Sequence, residues 1–304
     1  MPLVTIIINV FNGEATLSET IDSALSQTFN DFELLIWDDC SSDNSAGVVS
    51  EYDDPRIRYV RSDAQIPLGQ ARQAAISAAQ GEWVAFLDQD DLWLPQKLEL
   101  QLARAREMPK GGLVYGRTVR FYPNGIERDY DQAHEYAPLP EGDIFSLLFV
   151  DSCYIAMSSA MFRRSAIEEV GGVPSWIRII PDYYLYTAVA RRFPAAAVQQ
   201  VVCWYRMRSG SASESHAIEV HSEALRLMDF WEKGVDAAVL ARCRRHHATQ
   251  VALAEMRSGG IGRGLRRLLR EGSVRSQLVR PFWFGFHWVR RNVVKPWWKR
   301  GLGD

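Results

Sequence analysis

The sequence of 304 residues has few cysteines and lacks the cysteine spacings typical of zinc sites and disulfide frameworks. Its cysteines, Cys40, Cys153, Cys203 and Cys243, are far apart, which favours a reducing compartment. No stretch reaches the roughly 20 uninterrupted apolar residues of a membrane-spanning helix. The N-terminus also lacks the basic segment and cleavage site of a secretory signal. The sequence therefore predicts a cytoplasmic protein that can meet a membrane only peripherally, on its inner face.

The net charge is also small, at -2, but it is unevenly distributed along the chain. Residues 257–304 contain 12 Lys/Arg and 2 Asp/Glu, a net charge of +10, which leaves -12 for residues 1–256. A basic segment on an acidic body indicates contact with a nucleic acid or with a membrane surface. With 47% hydrophobic and 24% charged residues, the composition is otherwise that of an ordinary folded protein.

Strand-like and helix-like segments alternate through the first 110 residues. The predicted strands are 3–10, 33–37, 57–60 and 83–87, and a segment with helical character follows each of them. Such βαβ units form a parallel, doubly wound sheet.

The pattern changes after residue 110. Further strand-like segments at 112–122 and 198–205 enclose short predicted helices, and from His216 onward only helices are predicted. We therefore divide the chain into a ligand-binding half at 1–110, a second half of the same domain at 111–215 and a helical extension at 216–304.

An acidic loop follows the predicted strand 83–87. Ligands of parallel sheets bind beyond the carboxyl ends of the strands, and this loop places Asp88, Asp90 and Asp91 there. Three carboxylates this close together repel one another unless a cation compensates them. Oxygen ligands suit Mn²⁺ or Mg²⁺ better than Zn²⁺. The loop therefore predicts a divalent-cation site, unless its aspartates serve only to begin the next helix.

A second acidic cluster follows the predicted strand 33–37. Asp38 and Asp39 lie nearest the end of that strand and can accept hydrogen bonds from a base or a ribose. Ser42 or Asp43 is expected to cap the next helix.

These segments together resemble the family 2 glycosyltransferases, which have the GT-A fold. The matching residues are VTIIINVFN at 4–12, ALSQTF at 24–29, DD at 38–39, SSD at 41–43, GQARQAA at 69–75, FLDQDD at 86–91 and PQKL at 95–98. They occur in the order and at the spacing of the family, and the resemblance covers residues 1 to about 210. It implies a GT-A type α/β fold with a doubly wound, mostly parallel sheet, followed here by a C-terminal helical extension.

The resemblance implies a nucleotide-sugar pocket at the ends of the first two strands. Asp39 would contact the base of the donor, most often uracil, and Asp38 would lie beside it. Asn9, Phe11 and Asn12 would line the same pocket.

The resemblance also implies roles for the acidic loop. Asp88 would contact the ribose or diphosphate and, together with Asp90, would hold Mn²⁺ or Mg²⁺. Arg72 would approach the nucleotide or, alternatively, form an ion pair with one of the aspartates. Asp91 could instead cap the following helix.

The family places its catalytic base in a Glu-Asp pair that opens a helix after a Gly-Gly. Here the Asp is Asp182, whereas Pro181 replaces the Glu. Asp182 is therefore the candidate base, which would take the proton of the acceptor hydroxyl in a single, inverting displacement. The alternative is that Asp182 only caps its helix. Arg208 stands where the family often has His; it could clamp a diphosphate or pair with the acidic body.

The C-terminal segment combines basic and aromatic residues. Ile261, Leu265, Leu268 and Leu269 form an apolar stripe beside several arginines, and Trp, Phe, Arg and Lys alternate from there to residue 300. Residues 257–300 are therefore predicted to bind an anionic membrane surface. Alternatively, the C-terminal helices pack on the catalytic body or on a second copy of the chain. No nucleic-acid partner is expected, because no recognised motif accompanies the basic residues.

The six histidines show no metal-ligand spacing, and His246 and His247 are predicted to lie on the surface.

The sequence as a whole predicts a metal-dependent inverting hexosyl- or N-acetylhexosaminyltransferase. It would move a sugar from a UDP-linked donor to a lipid-linked or other glycan acceptor in cell-surface polysaccharide or glycoconjugate biosynthesis. A sugar nucleotidyltransferase or dinucleotide-binding oxidoreductase would need a Gly-rich loop after the first strand. A catalytically silent binding or scaffold module is the other alternative.

Overall fold

A sheet packed between two hydrophobic cores forms the centre of the protein. The computed structural model describes residues 1–122, 125–130, 138–149, 154–207 and 215–270, with backbone only for 125–130, 269 and 270. The strands are β1 (Val4–Val10), β2 (Phe32–Asp38), β3 (Ile57–Arg61), β4 (Trp83–Phe86), β5 (Leu92–Trp93), β6 (Leu113–Tyr122), β7 (Gly125–Tyr130), β8 (Met161–Arg163) and β9 (Ala195–Arg206). The helices are α1 (Leu17–Leu25), α2 (Ser45–Ser50), α3 (Leu68–Ala78), α4 (Lys97–Glu107), α5 (Arg164–Glu169), α6 (Pro181–Ala190), α7 (Ala217–Phe230), α8 (Ala237–Arg257) and α9 (Ile261–Arg270).

The strand order within the described residues is β3-β2-β1-β4-β8-β6-β9-β5, and β7 pairs with β6. The first four strands in this order are parallel. β8 runs antiparallel to both β4 and β6, whereas β9 is parallel to β6. The predicted α/β fold with a mostly parallel sheet is therefore confirmed.

The apolar run of β1 explains why the sheet is buried on both faces. Ile6 and Ile8 point into the core that contains Leu17 and Ile21 of α1. Ile7, between them, points into the opposite core. Period-two alternation on a strand that is covered on both sides produces such a continuous β-branched sequence.

The apolar stretch from residue 144 to 162 is mostly irregular. Its described parts are short 3-10 turns at Ser146–Phe149 and Met157–Ser159 and the start of the three-residue strand β8. β8 is nevertheless central, because it joins the parallel half of the sheet to β6.

Helices α7 and α8 pack onto the sheet domain. Leu227 of α7 and Leu240 of α8 belong to the same buried core as Phe145 and Tyr183. The prediction that His247 lies on the surface is wrong: it is buried, and its Nδ1 lies 2.8 Å from Nδ1 of His221 on α7. Among the described residues, no helix is long and apolar enough to cross a membrane.

Candidate active site

Three loops meet at the carboxyl ends of β1, β2 and β4. Val10 and Asp38 are register partners in the parallel β1–β2 pair, and the amide of Asp39 donates to the carbonyl of Val10 at 2.8 Å. The side chain of Gln89 accepts from the amide of Phe11 at 2.8 Å and donates to its carbonyl at 3.1 Å. The loop after β4 is thus fastened to the loop after β1.

Asn12 shapes the loop after β1. Its φ of 51° lies in the left-handed region, which Asn tolerates better than most residues. Its side-chain oxygen accepts from the amide of Ser42 at 2.8 Å, and its amide donates to the hydroxyl of Ser41 at 3.0 Å. The side chain of Asn12 therefore connects the loops after β1 and β2, while the ring of Phe11 is exposed at their rim.

Asp38 is fully buried, and donors of the protein surround its carboxylate. It accepts from the amide of Ser41 at 2.7 Å and from the hydroxyl of Tyr59 at 2.5 Å. Arg61 lies 3.5 Å away. Through these contacts, the carboxylate of Asp38 stabilises the loop that carries Asp39.

Asp39 is buried at the end of β2. Its carboxylate accepts from the amide of Ile66 at 3.1 Å and from the hydroxyl of Ser62 at 3.3 Å. Burial raises the pKa of Asp39, and the hydrogen bonds from Ile66 and Ser62 oppose that rise.

Arg72 on α3 and Asp88 after β4 form an ion pair. Nη2 of Arg72 lies 2.6 Å from Oδ1 of Asp88, and its guanidinium carbon lies 5.9 Å from the centre of the Phe86 ring. Arg72 thus forms the ion pair that the sequence offered as an alternative, and its contact with a nucleotide stays a prediction. Its buried Nε nevertheless has no acceptor among the described residues.

Asp91 is the buried residue of the acidic loop and fixes the loop to the protein interior. It is 1% exposed, and its carboxylate accepts from the hydroxyl of Ser158 at 2.5 Å and from the amide of Arg206 at 2.8 Å. Burial and the neighbouring Asp88 raise its pKa well above the ordinary value. The alternative in which Asp91 caps α4 is wrong, because the N-cap of α4 is Gln96.

Asp182 lies in the first turn of α6, which begins at Pro181. The N-cap is Ile180, so the N-cap alternative for Asp182 is also wrong. One carboxylate oxygen accepts from the amide of Tyr183 at 2.8 Å. Burial raises the pKa of Asp182; the positive charge of Arg72 lowers it and the negative charge of Asp88 raises it further. Asp182, Arg72 and Asp88 thus share one electrostatic environment.

Sequence reasoning missed Tyr205 and Trp37. Burial raises the pKa of the Tyr205 phenol, and the negative charges of the four site aspartates, Asp88, Asp91, Asp90 and Asp182, add to the rise. Nε1 of Trp37 and Nδ2 of Asn9, on paired strand positions, are buried without a hydrogen-bond partner among the described residues. The unpaired N–H of Trp37 could not be predicted, because an aromatic residue on an apolar strand is expected to serve only as part of the core.

A divalent cation fits the donor set of Asp88 and Asp90. Within the described ranges, no group of three or more His, Cys, Asp or Glu is arranged to hold a metal. Mg²⁺, however, commonly uses only one or two protein carboxylates and completes its shell with water and substrate phosphates. Asp88 and Asp90 both add to the raised pKa of Tyr205, so the two carboxylates lie on the same side of the protein as this residue. Two predicted contact regions, Arg208 and residues 271–300, lie outside the described residues.

Comparison with known proteins identifies the family. The profile of the glycosyl transferase family 2 matches residues 5–171. The chain is 30% identical over 214 residues to WfaP of Escherichia coli, named as a UDP-Glc:α-D-GlcNAc-diphosphoundecaprenol β-1,3-glucosyltransferase; the match covers 70% of this chain and 80% of WfaP.

Two solved structures share the fold. TarS of S. aureus, in complex with UDP-GlcNAc, superposes with a TM-score of 0.63 at 17% identity, over 81% of this chain and 72% of that chain. The mannosyltransferase PcManGT of Pyrobaculum calidifontis, in complex with GDP-Man and Mn²⁺, superposes with a TM-score of 0.62 at 18% identity, over 97% and 81%. The protein belongs to glycosyl transferase family 2 and has the GT-A fold.

Proposed function

We propose that the protein is an inverting, metal-dependent glycosyltransferase that moves a hexose or N-acetylhexosamine from a UDP-linked donor to a hydroxyl of a lipid-linked glycan. The supporting observation is that α3 contacts both parts of the proposed site: Arg72 lies 2.6 Å from Asp88, and the amide of Gly69 donates to the carbonyl of Arg178, just before the helix of Asp182. The charges of Arg72 and Asp88 both act on the pKa of Asp182. The reaction requires a general base for the acceptor hydroxyl and positive charge near the leaving diphosphate, and Asp182, Arg72 and a cation on the acidic loop would supply them.

The donor base would bind at the ends of β1 and β2. Asp39 would accept a base N–H, with Asn9, Phe11 and Asn12 around it and Asp38 supporting it. The N–H groups of Asn9 and Trp37, which have no partner among the described residues, would donate to acceptor atoms of the bound nucleotide. UDP is the preferred nucleotide because WfaP is named for UDP-Glc and TarS was solved with UDP-GlcNAc.

The diphosphate would leave from beside the acidic loop. Asp88 and Asp90 would hold Mn²⁺ or Mg²⁺, which as a Lewis acid stabilises the charge that develops on the diphosphate. Arg72 keeps Asp88 in place and contributes a positive charge, and Arg208 is proposed to approach the same phosphates. Asp91 fixes the loop through Ser158 and the backbone of Arg206.

Asp182 would act as the general base. Its pKa is raised by burial, so the carboxylate is a better proton acceptor than an exposed Asp. It would take the proton of the acceptor hydroxyl while the oxygen attacks the sugar carbon opposite the leaving diphosphate. One displacement of this kind inverts the configuration at that carbon.

The acceptor is proposed to be a saccharide on a lipid diphosphate, because WfaP is named for such an acceptor. A membrane contact on the cytoplasmic face would bring the enzyme to it. Ile261 and Leu265 of α9 are 58% and 47% exposed, and Arg263 and Arg266 are exposed as well. Exposed apolar and basic residues on one helix suit an anionic bilayer surface. The helical extension at 216–304 would thus combine packed helices with a membrane contact, in the synthesis of a cell-surface polysaccharide or glycoconjugate.

A transfer assay with radiolabelled UDP-sugars, Mn²⁺ and a short-chain sugar-diphosphate lipid tests this proposal. Asp182→Asn should lower kcat by roughly 10²–10⁴-fold, because the base is lost, while the donor still raises the melting temperature. Asp90→Ala should lose the Mn²⁺-dependent part of donor binding. Asp53→Asn, at an exposed position, is the control. Donor binding with no transfer by the wild type would favour the silent binding module instead.

A further inference from the structure

The segment that leads into Asp182 is held by a single carboxylate from another helix. Oε1 of Glu223 accepts from the amide of Arg178 at 2.8 Å. Oε2 accepts from the amides of Ile179 at 2.8 Å and Ile180 at 2.9 Å. Three consecutive N–H groups immediately before Pro181 therefore end on one side chain of α7.

The carboxylate of Glu223 is buried beside these three amides. It is 6% exposed, and no Lys or Arg of the described residues forms an ion pair with it. A buried carboxylate without a counter-charge is costly unless several donors solvate it. Here the three amides do so, and the partial positive charge at the start of α6 adds to them.

The opposite side of the same segment is fastened to α3. The amide of Gly69 donates to the carbonyl of Arg178 at 3.0 Å. A Cβ on Gly69 would lie 2.1 Å from the carbonyl oxygen of Ile177, so α3 and the segment touch through their backbones. Oε1 of Gln73 accepts from the amide of Val173 at 2.6 Å. α3 is also the helix that carries Arg72.

The segment 173–180 is thus clamped between α3, which carries Arg72, and α7, which carries Glu223. Pro181 follows directly as the first residue of α6. Because proline restricts its own φ, the direction in which α6 begins, and with it the place of Asp182, depends on the position of this segment. A change at Glu223 would move Asp182 relative to Arg72 and Asp88 without touching the donor pocket on β1 and β2.

We propose that Glu223 is a positioning residue of the transfer reaction, which acts by holding segment 178–180 and thereby the position of Asp182. This inference rests on the proposed role of Asp182 as the base. It makes α7, from the C-terminal extension, a functional part of the active site.

The test compares Glu223→Gln and the milder Glu223→Asp with Glu219→Gln, an exposed Glu one turn earlier on the same helix. Each variant is assayed well below its own melting temperature. For Glu223→Gln we expect kcat to fall about 10- to 100-fold, because small misplacements of a reacting group carry penalties of that size. The donor KM should stay within about twofold, Glu223→Asp should be intermediate, and Glu219→Gln should match the wild type.

A double-mutant cycle separates positioning from general structural support. If Glu223 acts through Asp182, Glu223→Gln should change the residual rate of Asp182→Asn less than about twofold. Hydrogen exchange should be faster at the amides of 178–180 in Glu223→Gln and unchanged in the donor pocket.

An unchanged kcat in folded Glu223→Gln, or an equal fall in both backgrounds, would overturn the inference. If instead the wild type itself transfers no sugar, the proposed function fails and with it the role of Glu223 in catalysis, whereas the exchange data would still report on the clamp.

Discussion

Nη2 of Arg72 lies 2.6 Å from Oδ1 of Asp88, and the same guanidinium lowers the pKa of Asp182 against the effect of burial. One arginine on α3 therefore acts on both the acidic loop and the candidate base. The two carboxylates lie on different elements, so Arg72 couples the proposed donor and acceptor sides of the site.

Arg72→Met should shift the pH dependence of kcat. Asp182 must be deprotonated to accept a proton, and loss of the nearby positive charge raises its pKa further. The acidic limb of the kcat profile should therefore move to higher pH, together with a lower kcat/KM. Arg56→Met, which breaks an ion pair with Asp54 outside the site, should leave the limb in place. A limb at the wild-type position in Arg72→Met would contradict the assignment of Asp182 as the titrating group.

Ser158→Ala should destabilise the protein by about 1–3 kcal/mol, because it removes a hydrogen-bond donor from the buried carboxylate of Asp91. The hydroxyl of Ser158 also accepts from the amide of Asp88 at 3.0 Å, so the acidic loop after β4 should loosen as well. Denaturant unfolding measures the change, and Ser77→Ala, at an exposed position on α3, is the control. Equal stability of the two variants would show that Asp91 does not depend on this hydrogen bond.

The first four strands and the acidic loops were predictable because a parallel sheet imposes continuous apolar runs and places polar residues at the strand ends. β5 and β8 were not, since strands of two and three residues carry no periodicity. Asp88, Asp90 and Asp91 look alike in the sequence. Their different environments depend on Ser158 and Arg206, which are distant along the chain.

The role of Glu223 was even harder to predict from the sequence. In the sequence it is an ordinary Glu on an amphipathic helix, where a solvent-exposed position is the default expectation. Only tertiary packing of α7 against segment 178–180 gives it three backbone donors. The burial of His247 was missed for a similar reason, because α7 covers that side of α8.

The histidine pair between α7 and α8 should make the protein sensitive to acid. Burial lowers the pKa of His247 to about 3 and that of His221 to about 4. Unfolding frees these groups to titrate near 6.5, so the unfolded state binds more protons below that pH. Above about pH 6.5 both histidines are neutral in the folded and the unfolded state, so they do not change the stability. As the pH falls toward 4, the unfolded state takes up the proton of His247 and the folded state does not, which lowers the free energy of unfolding by about 3 kcal/mol.

Urea unfolding from pH 7 to pH 4 measures this loss. His247→Gln should flatten the pH dependence, whereas His216→Gln, at an exposed position, should keep it. The same slope in wild type and His247→Gln would show that His247 is not the group responsible.

Ile261→Glu combined with Leu265→Glu should abolish flotation with anionic liposomes, because both side chains are exposed on α9. Wild-type binding should weaken as salt rises, since basic residues supply part of the attraction. Leu147→Glu changes a leucine of similar exposure, 41%, outside this helix and should float like the wild type. Binding that survives the double substitution would exclude α9 as the membrane contact.

The anomeric configuration of the product tests most directly whether the protein transfers sugar by a single displacement with Asp182 as the base. UDP-glucose or UDP-GlcNAc, which carry the sugar in the α configuration, are incubated with the wild-type protein, Mn²⁺ and the short-chain acceptor, and the anomeric proton of the product is examined by NMR. We expect a β-linked product from the wild type and a loss of product in Asp182→Asn. An α-linked product, or a β-linked product formed at the wild-type rate by Asp182→Asn, would contradict the single displacement with Asp182 as the base.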